Sequence, residues 1–170
     1  NQKSLVNSIK ENEVTICSGP AGTGKTFLAC AEALKLIKRY AKYRKIVIVK
    51  SVTTLKNEEI GFLKGNLREK MEPFMFSFVH NFEKLVGQAI TSRLRELKTI
   101  EEMPIAYMRG INLDRSIIII DEAQNISQEN MRTILTRLGK DSKMVFLGDE
   151  RQQDSKGGNG LTFLMEHFAH

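Results

Sequence analysis

The sequence contains no tryptophan, only two cysteines and only three prolines in 170 residues. Two cysteines cannot build the disulfide framework that stabilises a small secreted scaffold. Cys17 and Cys30 flank a glycine-rich loop at a spacing that matches no redox or metal motif, so both are expected to be buried, reduced thiols of a cytosolic protein. His80, His167 and His170 form no ligand pattern, and no zinc site is expected. No apolar run approaches the roughly 20 residues a membrane helix needs. The longest strongly apolar stretch, Ile117 to Ile120, is strand-sized. There is no repeat, no low-complexity segment, no Gly/Ser/Pro-rich linker and no block of five like charges. The chain opens with Asn1 rather than Met and shows no signal-peptide pattern. It therefore reads as a fragment, or a chain whose start is missing, forming one cytoplasmic domain over 1–170.

What is present fits a soluble globular domain: 41% hydrophobic and 27% charged residues, enough to bury a core of its own. Lys and Arg number 26 against 20 Asp and Glu, a net charge of +6. A basic surface suits a polyanion, whether nucleotide, nucleic acid or acidic membrane, and charge alone does not choose among them. Four short runs are apolar without alternation: Val14–Cys17, Ile46–Val49, Ile117–Ile120 and Lys143–Leu147. Such runs predict strands covered on both faces, as in a parallel sheet. Between them lie helical patterns. From Thr26 to Tyr40, Phe27, Ala31, Leu34 and Ile37 recur at helical spacing, with Lys35, Lys38 and Arg39 towards the end. From Gln128 to Leu138, Met131, Ile134, Leu135 and Leu138 make one stripe, with Ser127 to cap the start and Gly139 to end it. Alternating strands and helices give an α/β fold, a mainly parallel sheet with helices on both faces. Residues 68–98 read as a helical insertion on the sheet edge.

The strongest local signal is Gly19-Pro20-Ala21-Gly22-Thr23-Gly24-Lys25-Thr26, which fits G-x-x-x-x-G-K-[ST] with a strand before it and a helix after it. Small residues let successive backbone N–H groups turn inward around phosphate oxygens, and the helix brings its positive end to the same point. Lys25 is expected to reach the β- and γ-phosphates of ATP, and the Thr26 hydroxyl to hold Mg²⁺.

Ile117–Ile120 ends in Asp121-Glu122. Apolar residues followed by Asp have the form of a Walker B strand. Asp121 is the expected metal carboxylate and Glu122 the expected general base. No Asn-Lys-x-Asp guanine reader accompanies them, which argues against a small GTPase. After the fourth apolar run comes Gly148-Asp149-Glu150-Arg151-Gln152. The Gln152 amide can donate to phosphate and accept from water, and Asp149 either positions Gln152 or lines the metal site.

Gly-Pro-Ala-Gly-Thr-Gly-Lys-Thr (19–26), Ala-Tyr-Met-Arg-Gly (106–110), Asp-Glu-Ala-Gln-Asn (121–125), Leu-Thr-Arg-Leu-Gly (135–139), Ser-Lys-Met-Val (142–145) and Gly-Asp-x-x-Gln-x-Asp (148–154) occur in that order. Together they resemble the PhoH-like ATPases of bacteria and phages over nearly the whole chain. The resemblance implies a RecA-like P-loop core similar to the first motor domain of superfamily one helicases, ATP and Mg²⁺ as ligands, and a tie to single-stranded RNA or DNA. It also implies that Gln2 reads the adenine edge. Two blocks depart from the family: Lys50-Ser51-Val52 stands where Arg-Pro is usual, and 60–67 where Gly-Phe-Leu-Pro-Gly-Asp-Leu is usual. Both lie near the segment that contacts nucleic acid in related helicases.

Hydrolysis in this class usually takes an arginine on the γ-phosphate, often from a neighbour in a ring. Arg109, Arg132, Arg137 and Arg151 are the candidates. Arg137, on an exposed helix flank, stands first and Arg109 second. Phe74, Phe76, Phe78 and Phe82 cluster. They can stack bases, but three of them recur every four residues, the spacing of a buried helix face. The resulting expectation is an ATPase motor on single-stranded nucleic acid, RNA by preference, working as a ring of copies such as a hexamer and not at a membrane. The rivals are a nucleotide-gated assembly module and a small-molecule kinase. The Asp-Glu pair and the Gln152 block argue against the kinase, which avoids activating water.

Overall fold

A computed structural model describes residues 2–20, 24–50, 78–108, 113–149, 151–152 and 160–167. The four expected strands form within two residues of their expected limits: β1 (Val14–Ser18), β2 (Lys45–Lys50), β4 (Ser116–Asp121) and β5 (Lys143–Gly148). A further strand, β3 (Ile100–Met103), joins them in a parallel sheet of order β1-β5-β4-β2-β3. Ser18 lies opposite Gly148, and Lys50 opposite Asp121. The strands that carry the sequence motifs therefore end side by side at one rim.

Six helices among the described residues pack around this sheet: α1 (Gln2–Glu11), α2 (Lys25–Arg39), α3 (78–86), α4 (Gln88–Glu96), α5 (Gln128–Leu135) and α6 (Gly160–His167). Alternate side chains of one strand point to opposite faces. Ile46, Ile48, Ile117, Ile119, Val145 and Leu147 join Leu5, Ile9, Ala33 and the fully buried Phe78 and Phe82 in the layer under α1, α2 and α3. Val47, Val49, Ile118, Ile120, Met144 and Phe146 join Met131, Ile134, Leu161 and Leu164 under α5 and α6. Two covered faces are why these strands carry no polar alternation. Among the described residues no helix is long and apolar enough to cross a membrane.

Several local expectations change. In α2 the face against the sheet is Ala29, Cys30, Ala33 and Leu36, while Phe27, at the expected stripe, is exposed and Leu34 and Ile37 are half-buried. Small side chains bring the helix close to the sheet, and the larger ones cover its flank. Gln2 does not immediately precede β1, because α1 intervenes, held by Leu5 and Ile9. α5 ends at Leu135, three residues early, although Ser127 caps it as expected by accepting the Asn130 N–H at 3.1 Å. α3 and α4 fall within the expected insertion, and β3 follows them directly. Phe78 and Phe82 are core residues, whereas Phe74 and Phe76 lie outside the described residues.

Candidate active site

The site stands at the carboxyl ends of β1, β5 and β4. The Gly19 N–H donates to the Gly148 carbonyl at 2.9 Å, which ties the start of the phosphate loop to the end of β5. Ala21, Gly22 and Thr23 lie outside the described residues. Gly24 has φ 78°, a left-handed conformation that glycine adopts without strain, and it turns the chain into α2. Lys25 Nζ donates to the carbonyls of Gly19 at 2.5 Å and Pro20 at 3.2 Å. The ammonium is thereby held at the mouth of the loop.

A cavity of about 310 Å³ opens beside it. Lys25 and Thr26 come to it from α2, Asp121 and Glu122 from the end of β4, and Asp149 and Gln152 from beyond β5. Five residues expected to act on one ligand, Lys25, Thr26, Asp121, Glu122 and Gln152, thus line one cavity. Burial pushes the Asp121 carboxyl above the ordinary carboxylate value; the N–H of Glu122, donating at 2.9 Å, and the charges of Lys50 and Lys25 pull it partly back. A desolvated carboxylate and a hydroxyl that line one cavity are a chemically suitable pair of oxygens for Mg²⁺, which takes one or two protein groups and completes its shell with phosphates and water. Among the described residues no cluster of three or more His, Cys, Asp or Glu offers a self-sufficient metal cage.

Glu122 has φ 52° and ψ 43°. A non-glycine residue in the left-handed region costs on the order of 1 kcal/mol and marks a constrained position. Its carboxylate pairs with Lys50 Nζ of β2 at 3.8 Å. Asp149 is buried, and its carboxyl lies below the usual value because the Arg151 N–H donates to it at 3.0 Å, aided by the Arg151 guanidinium and the Lys25 charge. The Gln152 N–H donates to the Asp149 carbonyl at 3.0 Å, which closes a backbone turn, and Asp149 also lines the cavity.

Other candidates fall elsewhere. Gln2 is exposed at the first turn of α1. Since α1 runs down to the start of β1, Gln2 lies towards the phosphate-loop end. Arg109 lies outside the described residues. Arg137 is not on an exposed helix flank. It sits half-buried in the turn after α5, at the amino end of β5, and its Nε is shielded from solvent with no hydrogen-bond partner among the described residues. It lies at the opposite end of the sheet from its own phosphate loop. Arg132 stacks over Phe163 at 5.1 Å, and Arg151 is committed to Asp149.

Three cavity residues are not among the expected site residues: Gln124, Asn81 and Phe27. Gln124 stands inside the Asp-Glu-Ala-Gln-Asn block, a signal that could have found it. Asn81 comes from α3, and nothing in its neighbourhood signals it. Cys30 lies beneath the site, and burial, with Asp121 nearby, pushes its thiol up to about 12, which makes it inert at neutral pH.

A family model described as PhoH-like protein matches residues 1–170. A PhoH-like protein of Bacillus subtilis (strain 168) is 40% identical over 167 residues, covering 97% of this chain and 52% of that protein. One of Mycobacterium tuberculosis (strain ATCC 25618 / H37Rv) is 39% identical over 158 residues, covering 93% and 44%. The chain thus spans about half the length of these relatives. Among solved structures, the UvsW helicase of bacteriophage T4 aligns with TM-score 0.51 at 14% identity, covering 96% of this chain and 55% of that one. The large terminase of a thermophilic bacteriophage aligns with TM-score 0.52 at 10% identity, covering 86% and 38%. At such identities the likeness concerns the fold, a RecA-like P-loop core.

Proposed function

The chain belongs to the PhoH-like protein family, and from that premise we propose that it binds ATP with Mg²⁺ and hydrolyses it, coupling turnover to single-stranded nucleic acid. The observation that carries this reading is the shared cavity of Lys25, Thr26, Asp121, Glu122 and Gln152. The loop from Gly19 to Gly24 cradles the phosphates with its N–H groups, and Lys25 turns from the loop carbonyls to the β- and γ-phosphates. Thr26 and Asp121 hold Mg²⁺, which when bound supplies positive charge to the phosphate oxygens. Glu122 takes a proton from the attacking water. Gln152 donates to the γ-phosphate and accepts from that water. Gln2, at the same end of the molecule, reads the adenine.

An arginine for the γ-phosphate comes from a neighbouring copy in a ring. Arg137 lies at the opposite end of the sheet from its own loop, which supports a role in trans, and Arg109 is the second candidate. The helicase and terminase likeness of the core supports a nucleic-acid motor over a switch.

Two variants test the reading. Lys25→Ala should lose binding of a fluorescent ATP analogue. Glu122→Gln should bind ATP but turn it over roughly 10²–10⁴-fold more slowly. Wild-type affinity in the first, or wild-type turnover in the second, overturns the ATPase assignment. Single-stranded RNA should raise phosphate release; an ATPase indifferent to RNA and DNA is a nucleotide-gated switch instead.

A further inference from the structure

A second cavity, larger than the one at the phosphate loop, lies at the other end of α2, about 22 Å along the helix. It measures about 770 Å³, within the usual range for a small-molecule site. The end of α1, the last turn of α2 and the start of β5 form its walls. Six basic residues line it against four acidic ones.

Its charges are layered. On the floor is Glu32, only 2% exposed, and its Oε1 has no hydrogen-bond partner among the described residues. Leaving a buried carboxylate oxygen unpaired costs several times what an ordinary hydrogen bond gains. The helix neighbours of Glu32 on the buried side are Ala29, Ala33 and Leu36, and the charge of Lys143, also buried in this cleft, acts on it while the Lys143 ammonium donates to the carbonyls of Lys10 and Asn12 at 3.0 and 2.8 Å. The negative end of the α2 dipole points the same way and adds to the demand for donors. On the rim Lys35, Lys38, Arg39 and Lys42 gather on the α2 side, with Glu11, Glu13 and Asp141 on the other walls. Tyr40 stands among them, 41% exposed, with Arg39 over one face of its ring at 5.4 Å. The floor asks for N–H donors, the rim for anions, and Tyr40 for a flat ring.

We propose that this cleft is a second nucleotide site, which takes a nucleoside phosphate with its base edge on Glu32, its ring against Tyr40 and its phosphates on Lys38 and Lys42. Guanine fits best, because N1–H and the N2 amino group lie side by side on one edge and meet one carboxylate. Adenine offers a single amino group. Uracil sets carbonyls on both sides of its one N–H, and these oppose the carboxylate. The ligand is either a free nucleotide or a nucleotide within a single strand.

The chain supplies its own reporters. Of its three tyrosines, Tyr40 and Tyr43 line this cleft and Tyr107 follows β3 at the other end. The chain labelled with 3-fluorotyrosine is titrated with GTP, ATP, UTP, inorganic phosphate and the RNA tetramers UUGU and UUUU, and followed by fluorine NMR. GTP should shift Tyr40 and Tyr43 saturably, and UTP should bind about tenfold more weakly or worse. The shifts should persist in Lys25→Ala, where the phosphate loop is disabled, and vanish in the surface variant Lys38→Glu/Lys42→Glu. Glu32→Met should erase the preference for GTP over UTP while phosphate-dependent binding remains. Tighter binding of UUGU than of GTP assigns the site to a strand, and the reverse to a free nucleotide. Silent Tyr40 and Tyr43 signals, equal shifts from all probes, or shifts untouched by Lys38→Glu/Lys42→Glu overturn the proposal. Should Lys25→Ala still bind ATP, the proposed ATPase reading fails by itself, and the Lys38→Glu/Lys42→Glu comparison still decides the cleft.

Discussion

The side chain of Gln124 joins the ends of two strands: its Oε1 accepts the backbone N–H of Asp149 at 3.1 Å, and both groups are buried. Gln124 follows β4, which carries Asp121, and Asp149 follows β5, which carries the turn to Gln152. The carboxylates and the glutamine of the proposed site therefore keep their spacing through one amide. Gln124→Met keeps the volume and removes the acceptor. It should cost about 1–3 kcal/mol in chemical denaturation, the penalty of an unsatisfied buried N–H. ATP turnover should drop about tenfold or more through lost alignment, while binding of an ATP analogue is retained. Unchanged turnover would show that the strand ends hold their spacing without it.

Gly148 tests the same joint from the backbone. A Cβ there would lie 2.5 Å from Gln124 Oε1 and 3.2 Å from the Ala123 nitrogen. Gly148→Ala must displace Gln124, so its loss of turnover should match that of Gln124→Met. In the double variant the two effects should not add, since both act on one contact. Additive losses would separate them.

Lys50 restrains the proposed base. Its ammonium pairs with Glu122 at 3.8 Å across adjacent strands, with both groups partly exposed, so the pair adds little to stability. Lys50→Met should leave the denaturation midpoint nearly unchanged and raise ATP turnover in the absence of nucleic acid, because the carboxylate is freed to face water. Lys50→Arg should behave as wild type. Turnover that falls in Lys50→Met would mean that the lysine orients Glu122 for the reaction.

Much of the site is legible in the sequence because its chemistry is written in consecutive residues. Glycines 19, 22 and 24, Lys25 and Thr26 form one string, and Asp121 and Glu122 end an apolar run that can only be a covered strand. β3 gives no such signal because Ile-Glu-Glu-Met is half polar. It pairs with β2 alone, and its glutamates meet Lys45 at 3.1 Å and Arg95 at 2.5 Å instead of entering a core. The buried face of α2 departs from its periodicity because periodicity weighs large apolar residues, while close packing on a sheet favours Ala29 and Ala33. Asn81 owes its place to tertiary structure, which no spacing rule encodes.

Cys30 should resist alkylation. Burial pushes its thiol up to about 12, so at pH 8.5 iodoacetamide should leave it unlabelled in the native chain and modify it in denaturant. The linkage has a definite sign. Between the ordinary thiol value of 9.0 and about 12 the unfolded chain has lost this proton and the folded chain has kept it. Stability therefore falls as pH rises through that window, by up to about 1.4 kcal/mol per pH unit, and this site adds nothing below it. Cys30→Ala should flatten the alkaline limb of a denaturation series; an unchanged limb would trace it to other groups.

Arg137 decides whether copies of this chain complete one another. It lies in the turn after α5, where its carbonyl accepts the Leu113 N–H at 3.4 Å, at the amino ends of β4 and β5. The phosphate loop is at their carboxyl ends, so the side chain cannot reach the γ-phosphate of its own subunit. Its Nε is shielded from solvent and has no hydrogen-bond partner among the described residues. If it serves a neighbouring site, Arg137→Ala should bind ATP normally and hydrolyse it about 10³–10⁵-fold more slowly, the usual worth of such a charge. Mixing separates this from a loss of folding. Lys25→Ala is dead at its own loop but keeps Arg137, and Arg137→Ala keeps an intact loop. Combined in a ring, each Lys25→Ala copy offers its arginine to the sound site next to it, and part of the activity should return in proportion to mixed neighbours. Mixing that restores nothing, with both proteins folded and assembled, removes Arg137 from the reaction. Arg109, exchanged by the same scheme, is then the arginine to test.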